Sequence, residues 1–253
     1  MSRSPERPGE TLDAGPAPVA AVVVDFDGTA SGDDVTYRLL QRFGRPGWRE
    51  LDEAFEREEI GSRECLLGQA ALLDAEPDEM LEYIGEHFGL APTFPAFVAW
   101  ANGRGIAVSI ASDGLGFHVA PMLASAGVAA QVRVYTNEMR RRDGALAFSF
   151  PHQHRLCRTC GTCKMGVVTG ERSRGSVAFV GDGFSDRLGA LYADVVFAKD
   201  HLAAYCEERG VPFLPWNTFD DVRRDLQRLH TLPGPSETEP TSCPGWSAAG
   251  VGA

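Results

Sequence analysis

The sequence predicts an α/β protein with a mainly parallel sheet and a small all-helical segment inserted after the first strand. Short β-branched runs alternate with helical patterns along most of the chain, which favours parallel strands covered by helices on both faces. The alternation stops between Ser31 and Leu90, where one helical pattern follows another with no strand pattern between them. A chain of 253 residues, 43% of them hydrophobic, is long enough for such a core and its insertion.

The predicted elements are taken from hydrophobic periodicity and from the residues that interrupt it. The strands are apolar β-rich runs, namely Ala20–Asp25, Ile106–Ala111, Val132–Thr136, Val177–Gly181, Val195–Ala198 and, as a short edge strand, Val211–Leu214. The helices between them are Phe94–Gly103, Phe117–Ala126, Lys164–Glu171, Asp186–Leu191, His201–Glu208 and Phe219–Leu229. The inserted segment contains four further helices, at Asp34–Phe43, Trp48–Glu58, Ser62–Leu73 and Pro77–Phe88.

These elements predict a core formed by residues 19–30 and 91–231, with residues 31–90 as a helical cap over the first strand's carboxyl end. Residues 1–18 contain no apolar stretch of the kind that a secretory signal needs, and we expect a disordered leader. Residues 232–253 are rich in proline, glycine and serine, and we expect a disordered tail.

Charge and cysteine content exclude several classes of protein. The chain has 24 Lys and Arg residues against 35 Asp and Glu residues, a formal charge of −11, and no basic run for a nucleic-acid backbone. No apolar stretch approaches the roughly 18 residues that a membrane span needs. Six cysteines in a chain of this length do not indicate a disulfide scaffold. We expect a cytoplasmic protein without nucleic-acid or membrane partners, and the oligomeric state stays open.

The first strand ends in "VVVDFDGT", which places two carboxylates one residue apart. Asp25 and Asp27 would project to the same side, where they repel unless a cation or a shared proton lies between them. The pattern suits a nucleophilic Asp25, an Asp27 that acts as general acid and base, and a hard cation such as Mg²⁺. Gly28 would allow the tight turn, and Thr29 could donate to a phosphate oxygen. The alternative is an ordinary Asp-Gly turn after a strand.

A third carboxylate follows the strand Val177–Gly181, in "GDGFSD". Asp182 would complete an oxygen-rich metal site, and Asp186, one helical turn later, would support that site from behind. The alternative is a loop in which Ser185 or Asp186 caps the next helix. The glycine-rich loops of nucleotide-binding proteins do not match, since the last glycine of G-x-G-x-x-G is replaced by Asp186.

Two further segments suit phosphate binding. "IASDG" ends the second strand, and Ser112, with the backbone amides of Asp113 and Gly114, could donate to phosphate oxygens. Lys164 begins a helix, where a positive charge is unfavourable for the helix dipole, and it could neutralise carboxylate and phosphate charge. The alternatives are a plain turn and a solvated surface lysine.

The segment "PHQHRLCRTCGTCK" carries three cysteines near two histidines. Cys157, Cys160 and Cys163 have spacing that suits a structural Zn²⁺ site. They also resemble an iron–sulfur run, but the fourth cysteine of that pattern is replaced by Val167. Structural zinc, unliganded thiols, and redox or cluster chemistry all remain open at this point.

The order of these motifs, DxDGT, then serine, then lysine, then GDxxxD, resembles the haloacid dehalogenase superfamily, whose members are mostly phosphatases. The helical insertion is similar to the cap of the subclass that contains phosphoserine phosphatases. The segments "ASDGLGFHVAPML", "CGTCK" and "VVFAKDHLAAYCEERGVPFLPWNTFDDV" resemble the methionine-salvage branch, which dephosphorylates a methylthiopentenyl enol phosphate. The resemblance covers most of residues 20–229. It leads us to expect glycine where Asp113 stands, and an acidic side chain there would alter the substrate pocket.

The resemblance implies a Rossmann-like three-layer core and a phosphomonoesterase acting on a small metabolite. Asp25 would form an aspartyl-phosphate, and Asp27 would protonate the leaving alkoxide and then deprotonate the attacking water. Mg²⁺ would be held by Asp25, the backbone carbonyl of Asp27 and Asp182, while Ser112 and Lys164 would bind the phosphoryl oxygens.

Two other functions remain open. One is transfer of the phosphoryl group to an alcohol, and the other is a metal- or redox-sensing module on a phosphatase-like fold. The first residues of the cap are the nearest candidates for substrate contact, namely Asp33, Asp34, Tyr37 and Arg38.

Overall fold

The computed structural model describes residues 19–142 and 145–238. Its centre is a six-stranded sheet in the order β3-β2-β1-β6-β7-β8, and every pairing in this sheet is parallel. The strands of this sheet are β1 (Ala21–Val24), β2 (Ala107–Ser112), β3 (Arg133–Thr136), β6 (Val177–Gly181), β7 (Val195–Ala198) and β8 (Leu214–Pro215). The predicted α/β architecture is confirmed. The edge strand was predicted at Val211–Leu214, and the structure has it at Leu214–Pro215, so the two share one residue.

Helices cover both faces of the sheet. They are α5 (Phe94–Asn102), α6 (Val119–Ser125), α7 (Lys164–Glu171), α8 (Arg187–Leu191), α9 (Asp200–Arg209) and α10 (Phe219–Arg228). In β1, Val22 and Val24 belong to one hydrophobic cluster, whereas Ala21 and Val23 belong to the other. Alternate side chains of β1 therefore pack into two separate hydrophobic clusters, one on each face of the sheet. This explains why β1 is apolar at every position.

The four predicted helices of the insertion are all present between β1 and α5. They are α1 (Val35–Phe43), α2 (Trp48–Glu56), α3 (Ser62–Ala71) and α4 (Pro77–His87). The chain leaves and re-enters the core side by side, through a bridge between Ser31 and Leu90. We call residues 31–90 the helical insertion.

The helical insertion rests on the core through specific contacts. Phe55 in α2 packs edge-on against Phe184, which follows β6, with ring centroids 5.2 Å apart. The backbone amide of Arg63 in α3 donates to the carbonyl of Thr159, 3.1 Å away. We keep the division into core and cap as a proposal that these contacts support.

An antiparallel hairpin between β3 and α7 was not anticipated. It pairs β4 (Glu138–Arg142) with β5 (Ala145–Ser149). The hairpin lies outside the main sheet, and a strand with three consecutive arginines lacks the apolar alternation used to find strands. The Asp143-Gly144 dipeptide in the sequence between them is typical of hairpin turns and was the available signal.

The chain termini were predicted to be disordered. The leader, residues 1–18, and residues 239–253 of the tail lie outside the described residues. Residues 232–238 run back along the core, where the amides of Gly234 and Glu237 donate to the carbonyls of Asp194 and Leu191. Within the described ranges, no helix combines the length and apolar character needed to cross a lipid bilayer.

Candidate active site

The predicted site residues converge at the carboxyl ends of three adjacent strands. Asp25 follows β1, Ser112 ends β2, and Asp182 follows β6. A cavity of about 340 Å³ lies between this edge of the sheet and the helical insertion, and all three residues line it. Ligands of open parallel sheets bind in this position, so the topology alone gathers residues that are more than 150 positions apart in sequence.

A group of three carboxylates can hold a metal ion here. Oxygen atoms of Asp25, Asp182 and Asp186 lie within 4.8 Å of one another. Burial, with the neighbouring Asp186 adding to it, raises the pKa of Asp25 well above its ordinary value and that of Asp182 to about 6. Buried carboxylates that repel one another are tolerated best around a cation, and an oxygen-only set suits Mg²⁺. Asp186 is close to the other two carboxylates, but its oxygens accept from Lys164 and from the amides of Asp182 and Gly183, so its role in supporting the site from behind stays a prediction.

Lys164 lies within this acidic group. Its Nζ donates to Asp25 Oδ1 and to Asp186 Oδ1, both at 2.6 Å, and to Ser185 Oγ at 2.9 Å. Although burial opposes its charge, the two carboxylates hold the pKa of Lys164 above its ordinary value. The unfavourable position at the start of α7 is explained by these partners, so the solvated-lysine alternative is wrong.

Two residues that sequence reasoning missed, Lys199 and Trp216, stabilise the turn after β1. Gly28 has φ +76°, and a Cβ there would meet the carboxylate of Asp182. Lys199 Nζ donates to the Gly28 carbonyl at 2.8 Å and lies 4.4 Å from the centre of the Trp216 ring. Trp216 Nε1 in turn donates to the carbonyl of Gly181 at 3.2 Å. Lys199 and Trp216 thus fix both loops that carry the acidic group.

Thr29 contributes to the same arrangement. Its hydroxyl donates to Asp182 Oδ1, and this bond orients the carboxylate toward the acidic group. The hydroxyl proton of Thr29 therefore already has an acceptor. Donation from Thr29 to a phosphate oxygen stays a prediction.

Asp27 lies apart from the three-carboxylate group and has its own set of donors. Oδ1 accepts from the backbone amides of Val35 and Thr36 at 3.1 and 3.3 Å, and Oδ2 accepts from the Thr36 hydroxyl at 3.0 Å. The Nε2 atom of His118 lies 3.3 Å from Oδ1. Burial alone would raise the pKa of Asp27, but His118 and Thr36 together hold it below its ordinary value. Sequence reasoning missed His118, whose segment "ASDGLGFHVAPML" was used only for the family resemblance and was given no role in the site.

The loop after β2 brings the expected phosphate-binding groups to the cavity. Ser112 Oγ accepts from the amide of Gly114 at 3.3 Å, and both residues line the cavity. A Cβ at Gly114 would lie 2.6 Å from Asp27 Oδ2 and 2.7 Å from Thr36 Oγ1. Position 114 therefore tolerates only glycine if Asp27 keeps its place.

Asp113, where glycine was expected, links the core to the helical insertion. Its Oδ2 accepts from the hydroxyl of Ser62 in α3, and its Oδ1 accepts from the amide of Thr162 at 2.7 Å and from Asn137 Nδ2 at 3.3 Å. Burial raises the pKa of this carboxyl group. Asp113 lines the cavity and joins three segments of the protein. Its effect on the substrate stays a prediction.

The described residues of the cysteine segment do not form a group of ligands that could share a metal ion. Cys163 Sγ accepts from the amide of Gly166 and caps α7, while Cys157 Sγ accepts from the amide of Thr159. Across the described residues, the three aspartates are the only group of three or more potential ligands close enough to share an ion. A structural zinc on Cys157, Cys160 and Cys163 is therefore unsupported.

The candidates for substrate contact divide into two pairs. Asp34 and Tyr37 line the cavity, whereas Arg38 and Asp33 form an exposed ion pair with an N–O distance of 3.0 Å. The helical insertion adds apolar side chains to the cavity wall, namely Leu40, Phe55 and Leu66. The cavity is thus acidic on the side of the sheet and partly apolar on the side of the helical insertion.

Comparison with known proteins gives a consistent set of relatives. The chain is 31% identical over 212 residues to a 2-hydroxy-3-keto-5-methylthiopentenyl-1-phosphate phosphatase of Geobacillus thermodenitrificans, covering 82% of this chain and 96% of the relative. It is 29% identical over 215 residues, with the same coverage, to the phosphatase of that name from Bacillus cereus. No protein-family model matches the chain.

Solved structures show the same fold. A phosphoserine phosphatase with a phospho-aspartyl intermediate analogue has a TM-score of 0.63 at 15% identity, covering 83% of this chain and 98% of that one. A haloacid dehalogenase family hydrolase of Salmonella enterica has a TM-score of 0.66 at 15% identity, covering 85% and 74% of the two chains.

Proposed function

The chain belongs to the haloacid dehalogenase superfamily of phosphatases, in its methionine-salvage branch, and we propose that it dephosphorylates a small phosphate monoester through an aspartyl-phosphate on Asp25. That the protein is a phosphatase of this type follows from its relatives. The nucleophile, the proton-transfer residue, the metal and the substrate are the parts that we propose.

The observation that carries the proposal is the separation of the two aspartates of "DFDGT" into different environments. Asp25 lies against Lys164, whose ammonium donates to it at 2.6 Å and favours the ionised carboxylate that a nucleophile needs. Asp27 lies apart from the acidic group and is held by donors from α1 and by His118. Two neighbouring carboxylates held by different partners can take different roles, one attacking and the other transferring protons.

Mg²⁺ fits the residues present. Asp25, Asp182 and the backbone carbonyl of Asp27 would hold it. Burial and mutual repulsion raise the pKa values of Asp25 and Asp182, and a cation between them would relieve that repulsion. When bound, the ion would neutralise charge on the phosphoryl oxygens and on the nucleophile.

The residues of this chain divide the remaining work. Asp25 attacks phosphorus, Ser112 binds a phosphoryl oxygen, and Asp27 protonates the departing alcohol oxygen. Lys164 supplies positive charge beside Asp25, and to bind a phosphoryl oxygen it would exchange one of its three present acceptors. Asp27 then removes a proton from the water that hydrolyses the aspartyl-phosphate. Splitting the reaction through a covalent intermediate gives two easier steps, and positioning supplies most of the rate.

The substrate that we propose is a small monoester of the kind named for the relatives, an enol phosphate with an apolar thioether tail. The apolar wall formed by Leu40, Phe55 and Leu66 supports this proposal. We also propose action in the cytoplasm, as expected from the cysteine content.

The test is a panel of phosphate monoesters that includes enol phosphates, sugar phosphates, phosphoserine and nucleoside monophosphates. Phosphate release should require Mg²⁺, stop with EDTA and return when Mg²⁺ is restored. Addition of alcohols should not divert the phosphoryl group, whereas efficient transfer to an alcohol would establish a phosphotransferase. Full activity after exhaustive chelation would refute the metal site.

A further inference from the structure

We propose that His118 is a positioning residue that holds the carboxylate of Asp27 in place for proton transfer. The inference rests on the proposed function, since it assigns Asp27 the proton-transfer role. His118 does not line the cavity, so any contribution to catalysis acts through Asp27 rather than through the substrate.

The position of the ring is tightly fixed. His118 is fully buried, and its ring lies between Phe26 and Phe117 with centroid distances of 5.5 Å to each. Phe26 separates the two catalytic aspartates in sequence, so the ring packs against the turn whose geometry it supports. The Nε2 atom is directed at Asp27 Oδ1, 3.3 Å away.

The second nitrogen of the His118 ring gives independent evidence that the contact with Asp27 is functional. Nδ1 of His118 is buried and has no hydrogen-bond partner within the part of the chain that the structure describes. Leaving a polar atom buried and unpaired is unfavourable. Nε2 faces a carboxylate oxygen, which accepts, so this ring nitrogen carries a hydrogen and donates it to Asp27. A phenylalanine would fill the same space and would bury no unpaired nitrogen. The difference between the two side chains that remains is the hydrogen bond from His118 to Asp27.

The other donors to Asp27 come from a different part of the fold. Val35 and Thr36 belong to the first turn of α1, in the helical insertion. His118 immediately precedes α6 in the core, on the same loop as Ser112. Among the described residues, His118 is therefore the donor that ties Asp27 to the layer carrying the nucleophile, independently of the insertion.

This arrangement makes a prediction about leaving groups. Protonation of the departing oxygen matters most for a basic alkoxide and least for an acidic phenol. Displacement of a catalytic group by about 1 Å can lower a rate by a factor of about 100. Loss of the His118 contact should therefore impair reactions that need the proton and spare those that do not.

The experiment measures kcat/KM, which includes leaving-group departure, for p-nitrophenyl phosphate, phenyl phosphate and an alkyl phosphate. His118→Phe retains the ring packing and removes the donor. His118→Gln retains a donor of similar reach, whereas His118→Asn has the same chemistry and is too short. Val119→Ala, at a buried position next in sequence, is the packing control. Thermal unfolding is recorded for each variant.

We expect His118→Phe and His118→Asn to lower kcat/KM for the alkyl phosphate by roughly 10- to 100-fold and that for p-nitrophenyl phosphate by less than about threefold. His118→Gln should recover most of the loss, and Val119→Ala should leave the leaving-group dependence unchanged. If His118→Phe does not fold, the comparison of His118→Asn with His118→Gln decides.

Equal losses for all three substrates would overturn the inference, because they would show only a structural role. Failure of His118→Gln to exceed His118→Asn would also overturn it. The proposed function is tested separately by Asp27→Asn in the same series. If that variant shows the leaving-group dependence and the His118 variants do not, only the inference about His118 fails, whereas an inactive parent protein would refute both.

Discussion

Replacement of Lys164 by methionine should be the most destabilising single change at the site that leaves the apolar core intact. Methionine keeps the volume of the buried chain but removes a cation that lies 2.6 Å from both Asp25 and Asp186. Removing one partner of a buried ion pair costs about 3–5 kcal/mol, because the other charge is left without compensation. Here two carboxylates lose the same partner, although Asp186 keeps the backbone amides of Asp182 and Gly183 as donors.

We therefore expect a loss of about 4 kcal/mol in the free energy of unfolding. For a chain of this size, that loss corresponds to a fall of roughly 8–16 °C in Tm. The double variant Lys164→Met, Asp186→Asn should recover part of the loss, because it also removes one of the two uncompensated charges. Mg²⁺ should raise the Tm of Lys164→Met more than that of the parent, since the ion replaces part of the missing positive charge.

The assay is thermal unfolding followed by circular dichroism, with and without Mg²⁺. The matched control is Lys199→Met, which removes the only other lysine in the chain. Lys199 is partly exposed and bonds to a backbone carbonyl, so its loss should cost about 1 kcal/mol. The reasoning is refuted if the two variants are equally stable, or if the double variant is less stable than Lys164→Met alone.

Three further predictions concern the surroundings of the site. Trp216→Phe keeps an aromatic ring beside Lys199 but loses the hydrogen bond from Nε1 to the Gly181 carbonyl. It should lower kcat several-fold at unchanged KM, and unaltered turnover would contradict the positioning role. Asp113→Asn places an amide donor among three existing donors and should cost about 1–3 kcal/mol in denaturant unfolding, whereas a neutral result would show that this link is unimportant. Asp221→Asn should cost about 1 kcal/mol at neutral pH by weakening the cap of α10. The pKa of Asp221 is lowered from 3.8 to about 2, so its stabilisation is complete above about pH 4 and is lost toward pH 2; a difference that persists at pH 2 would contradict this.

The fold was predictable wherever the pattern of apolar residues is strong. β1 is buried on both faces and reads as an uninterrupted apolar run. Three helices of the insertion, α1, α2 and α4, carry amphipathic patterns. The hairpin of β4 and β5 was missed because it pairs outside the main sheet and carries charged side chains. Periodicity identifies runs of buried positions, and among its described residues this hairpin adds only Met139, Leu146 and Phe148 to the core.

The site was predictable to the extent that it follows from strand ends. Asp25, Ser112, Asp182 and Lys164 converge because parallel strands present their carboxyl ends at one edge. His118 lies 91 residues from its partner Asp27 in sequence. No local pattern can show such a contact, since it depends on how the loop before α6 packs against the turn after β1.

The central claim is that Asp25 becomes phosphorylated during turnover. The direct measurement is acid quenching of the protein while it turns over a phosphate monoester with Mg²⁺, followed by mass spectrometry of the peptide that contains Asp25. With p-nitrophenyl phosphate, whose leaving group needs little protonation, Asp27→Asn should increase the phosphorylated fraction, because the base that activates water is missing. Asp25→Asn should show neither phosphorylation nor turnover. Phosphate release by Asp25→Asn at more than a few per cent of the parent rate, or a phosphate found on another residue, would contradict the account.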